Sequence, residues 1–351
     1  MRFRIADFGI WLLDLQRHRC TAHMSVLLIL ALAILLVPLT ASAQQGERVR
    51  RIGVLVNRPA GDPDGRANAA AFNEAIGKLG WTDGRTARIE YRWAAAEAKA
   101  LRAAAAELVR LKPDVIVASA TDGLAALREE TRTIPIVFVS VSDPVGQGFV
   151  PNLARPGGHI TGFTAFEFSI GGKWMQMLKE IAPSLSRAAI IFNPVTAPYF
   201  ASFVQPIEAA ARVLAVETIA VPVRDTAQIE GTIMAALGRK AKGGLIVPSD
   251  AFTSIHRAQV IALAARYRLP AIYAFRFFPT DGGLMSYGVD RIDLYRQAAP
   301  YVDRILRGAN PGDLPVQQPT KFELVINLKT AKALGLKIPQ SVLIRADEVI
   351  Q

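Results

Sequence analysis

Short apolar runs rich in β-branched residues alternate along this chain with longer stretches of helical composition. RIGVLVN (51–57) opens the series and ARIEYRW (87–93) follows it. EAKALRAAAAELVRL (97–111) predicts a helix, because alanine loses no side-chain entropy on becoming helical. A buried-strand run, Val115 to Ala118, then enters a helix through small hydroxyl and acidic residues, and TIPIVFVSVSDP (133–144) is the next strand. RAAIIFNP (187–194) restarts the order. A helix over 201–214, a strand over 216–221 and another helix lead into KGGLIVPSDAFTSIHRAQVIALAARYRLPAIY (242–273). Equivalent positions keep nearly one spacing: Asn57 and Asn193 are 136 residues apart, Val117 and Val247 130, Ile134 and Leu269 135.

Strands apolar on both faces, alternating with helices, imply parallel sheets covered on both sides. Two such units predict an α/β protein of two similar doubly wound lobes. Ligands of doubly wound sheets bind beyond the carboxyl ends of the strands. Those ends carry Asn57, Ser119 with Thr121, Ser142 with Asp143, Asn193, Ser249 with Asp250, and Tyr273. Several sit where a helix begins, and free N–H groups there favour an anion. Thr121, Asp122 and Asp250 equally suit plain helix caps.

The N-terminus has a different pattern. Arg2, Arg4, Arg17 and Arg19 precede an apolar run from Val26 to Leu39, and Ala41-Ser42-Ala43 follows. A basic region, a short apolar core and an A-x-A site predict a secretory signal peptide over 1–43 and a periplasmic protein. Met24 is a second candidate start. The only cysteine, Cys20, falls in that leader, so the mature chain is expected to have no disulfide and no thiolate ligand. The leader carries four Lys/Arg and two Asp/Glu, so 37 and 28 remain, a net charge of +9. The basic residues are scattered without an aromatic-interleaved stripe, which argues against nucleic acid as a partner.

Catalytic signatures are mostly missing. There is no G-x-G-x-x-G, and Gly171-Gly172-Lys173 runs into Trp174, without the hydroxyl that a phosphate loop needs. His159 and His256 lie far apart, which leaves no metal-ligand spacing, and no cofactor is expected. An enzyme on this scaffold would have only Asp143, Asp250 or Tyr287 as a general acid or base. A ligand-sensing receptor is the other alternative, and an exported solute receptor fits best.

The motifs point to a family. RIGVLVN (51–57), IEYRWA (89–94), LVRLKPDVIVA (108–118), IPIVF (134–138), DPVGQGFV (143–150), NLARPGGHITGF (152–163), GGLMSYG (282–288), QPTKFELVINLKTAKALGLKIP (318–339) and RADEVI (345–350) span nearly the whole mature chain. Together they resemble the substrate-binding proteins of ABC transporters of the tryptophan/tyrosine-binding type, which have the type I periplasmic-binding fold. His159 is a departure, since the family more often has Asn in that turn.

The resemblance implies a monomer that passes a small solute to a membrane permease. It implies a ligand held between lobes, with crossings near Thr161–Thr164, Asp281–Ser286 and Gln317–Thr320. The lobes would comprise 44–163 plus 284–319, and 164–283 plus 320–351. The family's strand-end positions map onto Asn57, Ser119, Thr121, Asp143, Asn193 and Asp250, with Thr164 at the first crossing. For an amino-acid-like ligand, Ser119 and Thr121 would take a carboxylate and Asp250 an ammonium. Phe163, Tyr273, Phe275 and Tyr287 are candidate walls for an apolar or aromatic side chain.

Overall fold

A computed structural model describes residues 48–95, 97–238 and 243–351; the expected signal peptide, with Cys20, lies outside them. The first sheet contains β1 (Arg50–Val56), β2 (Ala87–Trp93), β3 (Val115–Ser119), β4 (Ile136–Val141) and β5 (Ile160–Thr164), in the order β2-β1-β3-β4-β5. All its pairings are parallel. β3 and β4 are buried along their whole length. That explains their unbroken Val/Ile runs, since a parallel strand covered on both faces has no solvent side to mark with polar residues.

The second sheet contains β6 (Arg187–Phe192), β7 (Glu217–Pro222), β8 (Gly243–Val247), β9 (Ala271–Tyr273), β10 (Met285–Val289), β11 (Phe322–Asn327) and β12 (Glu348–Ile350). Its order is β7-β6-β8-β9-β10-β11-β12. The first five strands of that series repeat the order of the first sheet strand for strand. The repeat legible in the sequence is therefore a repeat of topology. The lobes are not equal copies, because β11 joins β10 antiparallel and β12 extends the sheet beyond it.

β10 also corrects the expected lobe boundary. It pairs with β9 through Met285 and Ser286, so 285–289 belongs with the second sheet, and the chain crosses after Val289. The crossing expected near Asp281–Ser286 instead runs into a strand that is packed tightly. A Cβ on Gly288 would come within 1.8 Å of the Ala274 carbonyl oxygen, so only glycine lets these backbones approach so closely.

After that crossing the helix Arg291–Leu306 returns to the first lobe. It buries Leu294, Tyr295, Ala298 and Val302 on one stripe, packed on β4 and on the helix Pro63–Lys78. The remaining crossings run side by side: the Gln317 N–H donates to the Gly162 carbonyl (2.9 Å), and the Thr164 N–H to the Gln317 carbonyl (2.9 Å). Lys321 reaches back to Asp290 at 2.8 Å, which ties the third crossing to the second.

Candidate functional site

A cavity of about 140 Å³ lies between the carboxyl ends of the two sheets. Asn57, Thr121, Asp122 and Arg291 face it from the first lobe, and Tyr199, Ser249, Asp250 and Phe275 from the second.

Local sequence explains how the first lobe presents these groups. Asp62 caps the helix Pro63–Lys78, accepting from the Gly65 N–H at 2.7 Å, with Pro63 preset for the first helical position. The same carboxylate pairs with Arg58 at 3.2 Å, so the cap also anchors a guanidinium at the cleft. Ala120 and Ser140 line the cavity with φ of 59° and 62°. Residues with a Cβ pay on the order of 1–3 kcal/mol to sit there, a cost that clusters at functional sites. Ser140 is also where the β4–β5 register shifts, a bulge that turns the strand end towards the cleft.

A hydrogen-bond chain then fixes Asp122. The Tyr295 hydroxyl donates to Ser119 Oγ (2.7 Å), and Ser119 donates to Asn57 Oδ1 (3.0 Å). Asn57 Nδ2 in turn donates to Asp122 Oδ1 (3.2 Å), which also accepts from the Gly123 N–H (2.9 Å). Asp122 Oδ2 is enclosed and has no partner. Burial pushes the Asp122 carboxyl up to about 6, against the pull of those donors and of Arg291. Arg291 has the opposite deficit. Its enclosed Nε has no hydrogen-bond partner, and its guanidinium lies over the Phe275 ring at 5.2 Å. Burial, with Arg58 nearby, lowers Arg291 to about 10, so it remains a cation at neutral pH. One wall of the cavity thus holds an unsatisfied anion acceptor and an unsatisfied cation donor.

The second lobe closes the rim. Arg257 pairs with Asp281 at 2.6 Å and approaches Asp62 of the other lobe at 3.9 Å. Phe277 lies beneath both Arg58 (4.9 Å) and Arg257 (5.3 Å), so one ring bridges the lobes through two cation–π contacts.

Among the residues singled out from sequence, Asn57, Thr121, Asp122, Ser142, Ser249, Asp250 and Phe275 line the cavity. Thr121 Oγ1 is engaged by the Ser142 N–H at 3.1 Å. Asp250 is only 2% exposed, and burial raises its pKa. It already accepts from the Asn193 N–H (2.8 Å), the Phe252 N–H (3.0 Å) and the Thr196 hydroxyl. Ser119 stands one bond behind the cavity, in the chain that holds Asp122. Asn193 caps its own turn by accepting from the Val195 N–H at 2.8 Å. Asp143 does the same for the Gly146 N–H at 2.9 Å, with φ of 47°.

Thr164 lies at the paired crossings, its hydroxyl 3.4 Å from the Gln317 carbonyl. Tyr273 stacks on Phe278, Tyr287 on Phe322, and Phe163 packs against Tyr301. Arg58, Asp62, Tyr199, Arg257 and Arg291 went unnoticed in sequence. Arg291 and Tyr295 come from a helix more than 160 residues beyond Asp122, and nothing local marks them. Among the described residues no group of three or more His, Cys, Asp or Glu could hold a metal ion.

Comparison with known proteins places this architecture. The family described as ABC transporter substrate binding protein matches residues 53–350. The chain belongs to that family. It is 27% identical over 267 residues to a tyrosine-binding protein of Clostridioides difficile, covering 76% of each chain. A conserved domain protein of Vibrio cholerae has a TM-score of 0.78 at 27% identity, covering 86% of this substrate-binding protein and all of that chain. A Streptococcus pneumoniae ABC domain solved in complex with L-Trp shares the fold at a TM-score of 0.77 and 23% identity, with 86% and 100% covered.

Proposed function

We propose that this substrate-binding protein carries an α-amino acid, held as a zwitterion between its two sheets, to an ABC permease. The observation that carries the reading is a pair of opposite charges on two residues that line the cavity, Asp122 and Arg291, each with an enclosed atom, Oδ2 and Nε, that has no hydrogen-bond partner. A buried charge without a partner is costly, and a ligand carrying both an ammonium and a carboxylate would satisfy the two at once. The relatives named for tyrosine and solved with L-Trp support an amino acid, and the aromatic Phe275 and Tyr199 suit a ring-bearing one.

Asp122 and Arg291 both belong to the first lobe, so that lobe would capture the ligand's main-chain groups. The second lobe would then close over it through Phe275, Ser254 and Arg257. Hinge closure stabilised by contacts made only in the closed state is an established way for such receptors to signal occupancy. We further infer export by cleavage after Ala43 into the periplasm, which intact mass of the secreted protein would test at Gln44.

Titration calorimetry with L-tryptophan, L-tyrosine and D-ribose tests the cargo. Saturable binding of the amino acids without turnover is expected. Binding of ribose alone, or consumption of the ligand, would overturn the reading.

A further inference from the structure

A second cavity, of about 260 Å³, has walls from both lobes. Asp64, Asn68 and Ile292 line it from the first lobe, and Phe277, Val289 and Glu323 from the second. Glu323 lies on β11, just past the crossing at Gln317, so it moves with the second sheet while Asp64 and Ile292 move with the first. It is 8% exposed, and its two oxygens are served unequally. Oε2 accepts from Arg276 at 2.9 Å, while Oε1 is enclosed and has no partner. Most other charges around it share its sign. Asp290 follows β10, Asp347 and Glu348 come from the end of the chain, and Asp64 lines the opposite wall. Lys321, tied to Asp290, and Arg291 are the remaining cations. A carboxylate so placed lacks both water and a second donor, and the smallest group that satisfies Oε1 is a proton. Burial, against the pull of Arg276 and with the help of Asp290, Asp347 and Glu348, pushes the Glu323 carboxyl up to about 7.

We propose that Glu323 is a proton-operated switch on lobe closure: protonated, it lets the lobes of the cargo-free protein rest closed, and ionised, it favours their opening. The cavity is complete only while both walls are in place. Parting the lobes therefore hydrates the carboxylate and takes Asp64 away from it, so ionisation is easier in the open form. A group whose pKa is higher in the closed form favours closure at low pH, and that advantage is lost as pH rises through the closed-form value. Between the closed-form and open-form values the ratio of the two states changes by at most about tenfold per pH unit. Cargo enters the open form, so capture would be faster above neutral pH than below it. The switch belongs to the empty protein and holds whatever solute is carried.

Small-angle scattering of the cargo-free protein from pH 5 to 9 tests it. The radius of gyration should rise with pH, in a transition centred near 7. Asp122 titrates lower, at about 6, so the two carboxyls are separable. Glu323→Gln keeps an acceptor for Arg276 and places a neutral donor at the other oxygen's position, so it should show no rise near 7. Arg276→Gln removes the cation that holds the Glu323 pKa down, and should move the rise to higher pH by about one unit. A radius of gyration that stays flat from pH 6 to 9 in the wild type would overturn the proposal, as would an unchanged rise in folded Glu323→Gln. If Glu323→Gln does not fold, Arg276→Gln decides: a shifted rise supports the switch, and an unshifted one overturns it.

Discussion

The two lobes place an aspartate at the same topological point, and the two aspartates have different surroundings. Asp122 follows β3 and Asp250 follows β8, the matching strands of the repeated order, and each is tied to the asparagine after its lobe's first strand. In the second lobe Thr196 and the Phe252 N–H complete the set of donors around Asp250. In the first lobe the donors stop at one oxygen, and Asp122 Oδ2 is left enclosed without a partner, on a residue that lines the cavity. The repeat therefore supplies the position, while the neighbours decide the task. A carboxylate whose donors are complete stabilises its lobe, whereas one with an orphaned oxygen is poised for a ligand.

The largest effect expected from that contrast is at Asp122. Asp122→Asn should weaken amino-acid binding by about 2–5 kcal/mol, at least about 30-fold, because a bound ammonium would lose its charged partner inside a closed cleft. Thermal melting of the free protein should stay level or rise at pH 7. The raised pKa of Asp122 means that the fold disfavours its charged form, and asparagine removes that charge. A variant that binds as the wild type does would make the two aspartates equivalent and erase the comparison.

Next in size is a pH effect. With Asp122 titrating at about 6 in the free protein, affinity should fall as pH drops below that value, approaching about tenfold per unit, because protonation must be reversed before an ammonium can bind. The sign for stability is opposite: a carboxyl with a raised folded pKa favours the fold below that pKa and loses this advantage as pH rises through it. Affinity measured from pH 5 to 8 should fall more steeply below pH 6 in the wild type than in Asp122→Asn, where Asp250 and Glu323 remain to titrate.

Asp250→Asn sharpens the contrast from the other side. Donors meet both Asp250 oxygens, so the amide of asparagine would turn its NH2 against the Asn193 N–H or against the Thr196 hydroxyl and Phe252 N–H; this should cost about 1–3 kcal/mol of stability in denaturant melts, with a smaller change in affinity than at Asp122. A large loss of affinity with unchanged stability would return the ammonium to Asp250. The smallest effect belongs to the bridge between lobes. Phe277→Leu removes the two cation–π contacts of a buried ring, worth about 0.5–2 kcal/mol each, so small-angle scattering should show a modest shift towards a larger radius of gyration.

Much of the fold was legible in the chain because it is local. Val/Ile runs set the strands, alanine-rich and capped segments set the helices, and the near-constant offset between halves betrayed the repeated order before any pairing was seen. Asn57, Thr121 and Asp250 were visible as cleft residues for the same reason: parallel sheets present their strand ends, and strand ends can be read from where an apolar run stops. Tertiary structure alone decided the rest. Whether Met285 and Ser286 belong to a crossing or to a strand depended on their pairing with β9, where Gly288 lets the chain approach Ala274. Whether an aspartate is saturated depended on Thr196, 54 residues before Asp250 in the chain. Arg291 and Tyr295 reached the first lobe only because the chain returns to it late, and hydrogen-bond satisfaction and burial are properties of neighbours in space that no run of residues encodes by itself.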